Sequence, residues 1–116
     1  MQVNKYGSKT CTCLSKHWHQ SRFEADVCNS LLGELQAKRI KKFSVQYKIE
    51  LKMNGVHITN HYVDFLVEKK DGSLVFVEAK GVETEAWRIK RRLCEILCPA
   101  IEYKVVRYGK GVSFGR

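Results

Sequence analysis

The sequence predicts an α/β fold with the element order αβββαβ, a mixed sheet flanked by helices. Three observations predict it. A capping pattern at Ser21-Arg22-Phe23-Glu24 opens a helical stripe. Three β-rich runs then follow, separated by Asn54-Gly55 and Asp71-Gly72. A second helical period stops at Pro99 and leads into one more strand-like run. An antiparallel meander with a crossover helix carrying the last strand back gives a mixed sheet.

Residues 1–20 read as a basic N-terminal arm, polar around Gly7, with a short β-ribbon between Thr10 and Trp18. Phe23, Val27, Leu31 and Leu35, with Cys28 and Leu32 beside them, trace one helix to about Gln36. Phe43, Val45, Tyr47, Ile49 and Leu51 alternate as a strand that runs to Met53. Asn54-Gly55 suits the two positive-φ positions of a hairpin turn. The next strands span about Val56 to Glu68 and Ser73 to Ala79. Glu83 to Leu97 is helical by period, with Trp87, Leu93, Ile96 and Leu97 inward. Ile101 to Arg107 forms the final strand, and the Gly-rich tail 108–116 is expected to be flexible. Residues 21–107 are thus the core of a single domain.

At 116 residues the chain supports one modest core. Its 21 Lys and Arg against 12 Asp and Glu give a net charge of +9, which favours polyanions: nucleic acid first, an acidic membrane surface second. No apolar run is long enough to span a membrane, and the N-terminus lacks a signal-peptide core, so an intracellular protein is expected. Five cysteines without disulfide-framework spacing point to reduced thiols. Cys11, Cys13, His17 and His19 are zinc-type ligands outside the common zinc spacings. Structural zinc is the lesser reading of that segment, and apolar packing of the two cysteines in the ribbon is the greater.

The chemistry concentrates in the second hairpin. Asp64 interrupts His-Tyr-Val-Asp-Phe-Leu-Val, and Glu78 interrupts Leu-Val-Phe-Val-Glu-Ala-Lys, with Lys80 two residues on. A carboxylate buried in a strand costs several kcal/mol unless it is paired or holds a cation (about 2–7 kcal/mol even for a neutral polar group). With a three-residue loop at Lys70-Asp71-Gly72, Lys69 faces Ser73 and Asp64 falls opposite Glu78. Alternation then places Glu78 and Lys80 on one face, matched by Tyr62, Asp64 and Leu66. A two-residue turn would instead send the two acids to opposite faces.

The spacing Ser-Arg-Phe-Glu-Ala … Val-Asp-Phe … Val-Glu-Ala-Lys-Gly resembles the PD-(D/E)XK nuclease superfamily, the restriction-endonuclease-like fold. The resemblance runs from about Ser21 to Arg107 and is greatest to small phage-encoded recombination nucleases and Holliday-junction resolvase-like proteins. One departure is that Val63 stands where the motif carries its proline. The resemblance implies a Mg²⁺-dependent endonuclease, with Mn²⁺ able to substitute, that hydrolyses DNA phosphodiester bonds. Asp64, Glu78, the carbonyl of Ala79 and Glu24 would hold the metal, hard oxygen donors that suit Mg²⁺. Lys80 would orient or deprotonate the attacking water. A phage-encoded enzyme would work in the host cytoplasm. Two structural alternatives stand beside this: Glu24 as the capping partner of Ser21, and Asp64–Lys80 as a simple buried ion pair.

Trp87-Arg88-Ile89-Lys90-Arg91-Arg92 places Arg88, Arg91 and Arg92 on an exposed arc, with Lys90 angled toward the hairpin. Together with Lys41 and Lys42 these are the expected phosphate contacts. One chain offers one active site, so cutting both strands of a branched DNA calls for a homodimer. A nicking or DNA-end nuclease of the same fold, and a non-catalytic basic DNA-binding protein, are the rival functions.

Overall fold

The structure is a computed structural model that describes residues 11–12, 18–19, 22–107 and 112–114. A two-residue ribbon, β1 (Cys11–Thr12) and β2 (Trp18–His19), pairs antiparallel ahead of helix α1 (Arg22–Gln36). Then come β3 (Ile40–Met53), β4 (Val56–Lys69), β5 (Leu74–Ala79), helix α2 (Glu85–Leu97) and β6 (Glu102–Val106). The main sheet has the order β3-β4-β5-β6, antiparallel except for the parallel β5–β6 pair. This is a mixed α/β architecture in the order αβββαβ, as the sequence predicts. The N-terminal cap residue Ser21 and the side chains of Cys11, Cys13, His17 and His19 lie outside the described residues, and the capping and zinc expectations fall there with them.

Local chemistry explains the turns. Asn54 and Gly55 have φ of 52° and 77°, the two left-handed positions that join Met53 directly to its partner Val56. In the β4–β5 turn, Gly72 has φ 89°, and Lys69 N–H donates to the Ser73 carbonyl at 2.8 Å. That is the three-residue loop, and it sets Phe65 opposite Val77 and Val67 opposite Val75. α1 ends in a Schellman arrangement, with Lys38 N–H donating to Leu35 O and Arg39 N–H to Glu34 O. Lys38 takes the left-handed position there, at φ 62°, with no glycine to ease it.

The helices cover opposite faces. Ala25, Val27, Cys28 and Leu31 of α1 pack against Phe65, Val67, Val75, Val77 and Val106. Cys94 of α2, with Leu93 and Leu97, packs against Ile49, Leu51, Val63 and Phe76. Each such fully buried aliphatic or aromatic side chain contributes about 1.5–3 kcal/mol. Ile96, placed inward by the helical period, is exposed instead, because the Trp87–Cys94 line faces the sheet. The tail is a second correction. Val112 is buried, Phe114 packs against the α1 layer, and the Phe114 N–H donates to Glu34 Oε1 at 2.6 Å. This segment docks because an apolar pair closes the edge of the core, an effect invisible in a Gly-rich composition.

One irregularity shapes the site. Phe43, Val45, Phe65 and Val67 lie on the α1 side, yet Ile49, Leu51 and Val63 lie on the α2 side, and Tyr47 stacks on Phe76 of that layer. All carry odd numbers, so unbroken alternation would put them on one face. Both strands change face between these groups. Gln46, in mid-strand with φ 54°, lies between the two groups on β3, and the ladder skips its pairing with Asp64.

Candidate active site

The face change puts Asp64 where β4 leaves β5. Regular pairing ends at Phe65–Val77, and the N–H of Ala79 on β5 donates to Asp64 Oδ2 at 2.8 Å rather than to a β4 carbonyl. The Asp64 carboxylate therefore sits in the fork between the strands. It does not stand squarely on the face shared with Glu78 and Lys80, as simple alternation predicts. The three-residue loop holds the expected register as far as Phe65–Val77, and the ladder stops one step short of pairing Asp64 with Glu78.

Four predicted residues act on one another electrostatically at this fork. Burial, and next the negative charge of Glu24, push the Asp64 carboxyl up to about 8; Glu78 adds to the rise, while the Ala79 N–H and Lys80 oppose it. A carboxyl whose pKa is raised first by burial and then by two neighbouring acids marks a place where a cation would be favoured. Glu24 reaches the fork from the first turn of α1. It is buried and accepts a hydrogen bond from Gln46 Nε2 at 2.9 Å, a bond made possible by the left-handed turn at Gln46. Lys80 Nζ rests over the Trp87 indole, 5.0 Å from the ring centroid. Trp87 is fixed in turn by Thr84, whose hydroxyl caps α2 by accepting the Trp87 N–H.

Glu78 faces α2 in different company. Tyr103 on β6 donates its hydroxyl to Glu78 Oε1. His61 Nε2 lies 2.7 Å from the Tyr103 oxygen and 3.6 Å from Glu78 Oε1. Because the hydroxyl proton goes to Glu78, the hydroxyl accepts from His61, which places the imidazole proton on Nε2. Burial raises the Glu78 pKa, but the adjacent His61 imidazole and the Tyr103 hydroxyl outweigh it and leave the carboxyl below its ordinary value. The buried Trp87 indole nitrogen also faces Glu78 and assists, although it makes no full hydrogen bond. Burial and the neighbouring Glu78 push the Tyr103 phenol far up, so it stays protonated and donating.

Glu78, Lys80, Lys90, Trp87, Tyr62 and His61 line a cleft of about 320 Å³ on this face. Lys90 thus points into the site, as its helical position predicts. Arg88 and Arg92 are exposed and pair with Glu83 and Glu95. Arg91 departs from the expected exposed arc: its guanidinium folds over the Trp87 and Tyr103 rings, 5.7 and 5.4 Å from their centroids, with its Nε buried. Lys41 and Lys42 pair with Glu68, four residues along β4 from Asp64, or roughly 13 Å at strand rise. Lys42 flanks a separate hollow of about 310 Å³ at the far end of the hairpin, and neither lysine joins the site.

Four contributors escape sequence reasoning: Gln46, His61, Trp87 and Tyr103. The sequence reads His61 as a surface or strand-end histidine with a small chance of touching substrate, yet it is 4% exposed. Tyr103 and Trp87 carry a faint signal as polar-tipped aromatics on a last strand and a basic helix. Gln46 carries none.

Among the described residues, no three His, Cys, Asp or Glu side chains converge into a cage for an ion. The donor chemistry still fits Mg²⁺, which keeps several waters and takes only one or two carboxylates. Asp64, with a proton where a cation would serve, meets that description. Asp64, Glu78, Glu24 and the Ala79 carbonyl are the oxygens available to hold it.

No helix among the described residues is long and apolar enough to cross a membrane. No curated protein and no solved structure matches the chain. Residues 3–110 match the family described as "Protein of unknown function (DUF1064)", and the chain belongs to that family.

Proposed function

We propose that this chain is a Mg²⁺-dependent endodeoxyribonuclease, selective for branched DNA such as a four-way junction and acting as a homodimer in phage-type recombination or replication. The observation that carries the proposal is the fork. Three acids and a lysine from α1, β4 and the end of β5 meet beside a basic cleft, in the arrangement that the resemblance to PD-(D/E)XK nucleases implies. A divalent ion bound there would supply charge screening of the phosphodiester and would acidify water. Asp64 and Glu78 would provide its oxygens, and Glu24 is kept in place by Gln46. Lys80, set on the Trp87 face, orients the attacking water and offsets the charge that grows on the phosphoryl oxygens. Lys90 neutralises the neighbouring phosphate at the mouth of the cleft.

A second reading, a DNA-binding protein without catalysis, rests on the net charge of +9 and the basic residues of α2. A nicking or DNA-end nuclease differs only in substrate. One experiment separates all three: incubate the wild type, Asp64→Ala and Lys80→Ala with a four-way junction, a flap, a duplex and a single strand, in Mg²⁺ or Mn²⁺. Expected are junction cleavage by the wild type and a loss on the order of 100-fold or more in both variants, with most DNA affinity retained. Activity persisting in Asp64→Ala rejects the site. Tight binding with no cleavage of any substrate favours the non-catalytic protein.

A further inference from the structure

Resting on the nuclease reading above, we propose that Tyr103 and His61 are positioning residues: together they hold Glu78 Oε1 and leave its other oxygen as the one presented to a divalent ion in the cleft. Glu78 sits near the C-terminal end of the short strand β5, where the neighbouring β4 has already turned away. A lone carboxylate at such a strand end has several accessible rotamers. Two neighbours remove that freedom. Tyr103 comes from β6, in register with Phe76, and His61 comes from the part of β4 beyond the fork. Their rings stack at a centroid distance of 6.1 Å, and the hydroxyl lies 2.7 Å from His61 Nε2 while donating to Glu78.

Their surroundings suit positioning better than proton transfer. His61 is 4% exposed, and Arg91 covers the Tyr103 ring, so neither donor is free to turn toward solvent. Burying an imidazole and a phenol in the α2 layer costs free energy unless their polar atoms are used. Here Nε2, the hydroxyl and Oε1 use one another. Only Glu78 among the three is a candidate ion ligand, and only its second oxygen is left for that task. Outer hydrogen bonds of this kind orient a ligand and typically change metal affinity or activity about 10- to 100-fold when lost.

The test compares Mg²⁺ and Mn²⁺ binding by calorimetry for the wild type, Tyr103→Phe, His61→Gln and His61→Leu. Binding of DNA in chelator and thermal midpoints serve as controls. The glutamine of His61→Gln keeps an N–H donor near the Nε2 position, whereas the leucine of His61→Leu keeps none. Expected are a loss of ion affinity of about 10- to 100-fold in Tyr103→Phe and His61→Leu, near-wild-type affinity in His61→Gln, and unchanged DNA binding in chelator. Where cleavage is measured, kcat and the Mg²⁺ requirement shift while KM for DNA does not. Equal ion affinity in all four folded proteins overturns the positioning role alone. Equal loss in His61→Gln and His61→Leu also overturns it, since the donor would then be irrelevant. A wild type that binds no divalent ion overturns this proposal and the nuclease reading together.

Discussion

Asp64→Asn tests the electrostatics of the fork without any substrate. Asparagine keeps an oxygen that can accept the Ala79 N–H, so the backbone contact survives while the charge is lost. In the wild type the Asp64 carboxyl moves from an ordinary 3.8 to about 8, chiefly through burial and the field of Glu24. Between those values the folded state holds a proton that the unfolded chain has released, so unfolding free energy falls as pH rises. The slope is about 1.4 kcal/mol per pH unit. Carried across the whole interval, the penalty at pH 8 is on the order of 5 kcal/mol, a large part of the ~5–15 kcal/mol that such a domain has in total. Urea denaturation in chelator from about pH 5 to 9 measures it. The wild type should weaken steadily toward the folded-state value, and Asp64→Asn should stay nearly level and become the more stable protein on the alkaline side. Adding Mg²⁺ on that alkaline side should restore the wild type through ion binding to the folded state, and leave Asp64→Asn unmoved. Parallel wild-type and variant curves would refute the reasoning, because they would mean that Asp64 ionises as readily in the folded protein as in the unfolded chain.

Three further outcomes follow from the structure. Lys90→Ala should weaken binding to all DNA sequences alike and reduce the slope of log affinity against log salt by about one, read by fluorescence anisotropy. Lys42→Ala should change that slope less, because Lys42 is paired with Glu68 at the other end of the hairpin. Lys38→Gly should stabilise the protein by about 0.5–1 kcal/mol in urea titrations, since only the left-handed φ at the α1 terminus is eased. A destabilised Lys38→Gly would show that the lysine side chain has a role that the helix cap does not explain.

The arrangement around Trp87 links the helix to the chemistry. Lys80 and Arg91 both lie over the ring, and the indole nitrogen looks toward Glu78. The side chain that fixes the depth of α2 in the fold therefore also sets the position of the lysine. Thr84, by capping the helix, locates Trp87 and through it Lys80.

Much of this protein is written locally. Asn54-Gly55 and Gly72 take positive φ, and those two turns set the strand pairing, including the register that brings Phe65 opposite Val77. The apolar periods place α1 and α2, and Pro99 ends the second of them. Asp64 and Glu78 are conspicuous because charged groups inside apolar runs are costly, whereas Glu24 and the role of Lys80 are nameable only through the resemblance. Tertiary structure alone decided the rest. Gln46 adopts a left-handed conformation that no residue preference announces, and the face change beside it moves Asp64 into the fork. His61 and Tyr103 meet at Glu78 only because β4 and β6 flank β5, and their sequence separation hides that. Arg91 covers aromatic rings and Val112 and Phe114 dock for the same reason: each answers to a surface built from distant segments, and a one-dimensional pattern carries no record of such a surface.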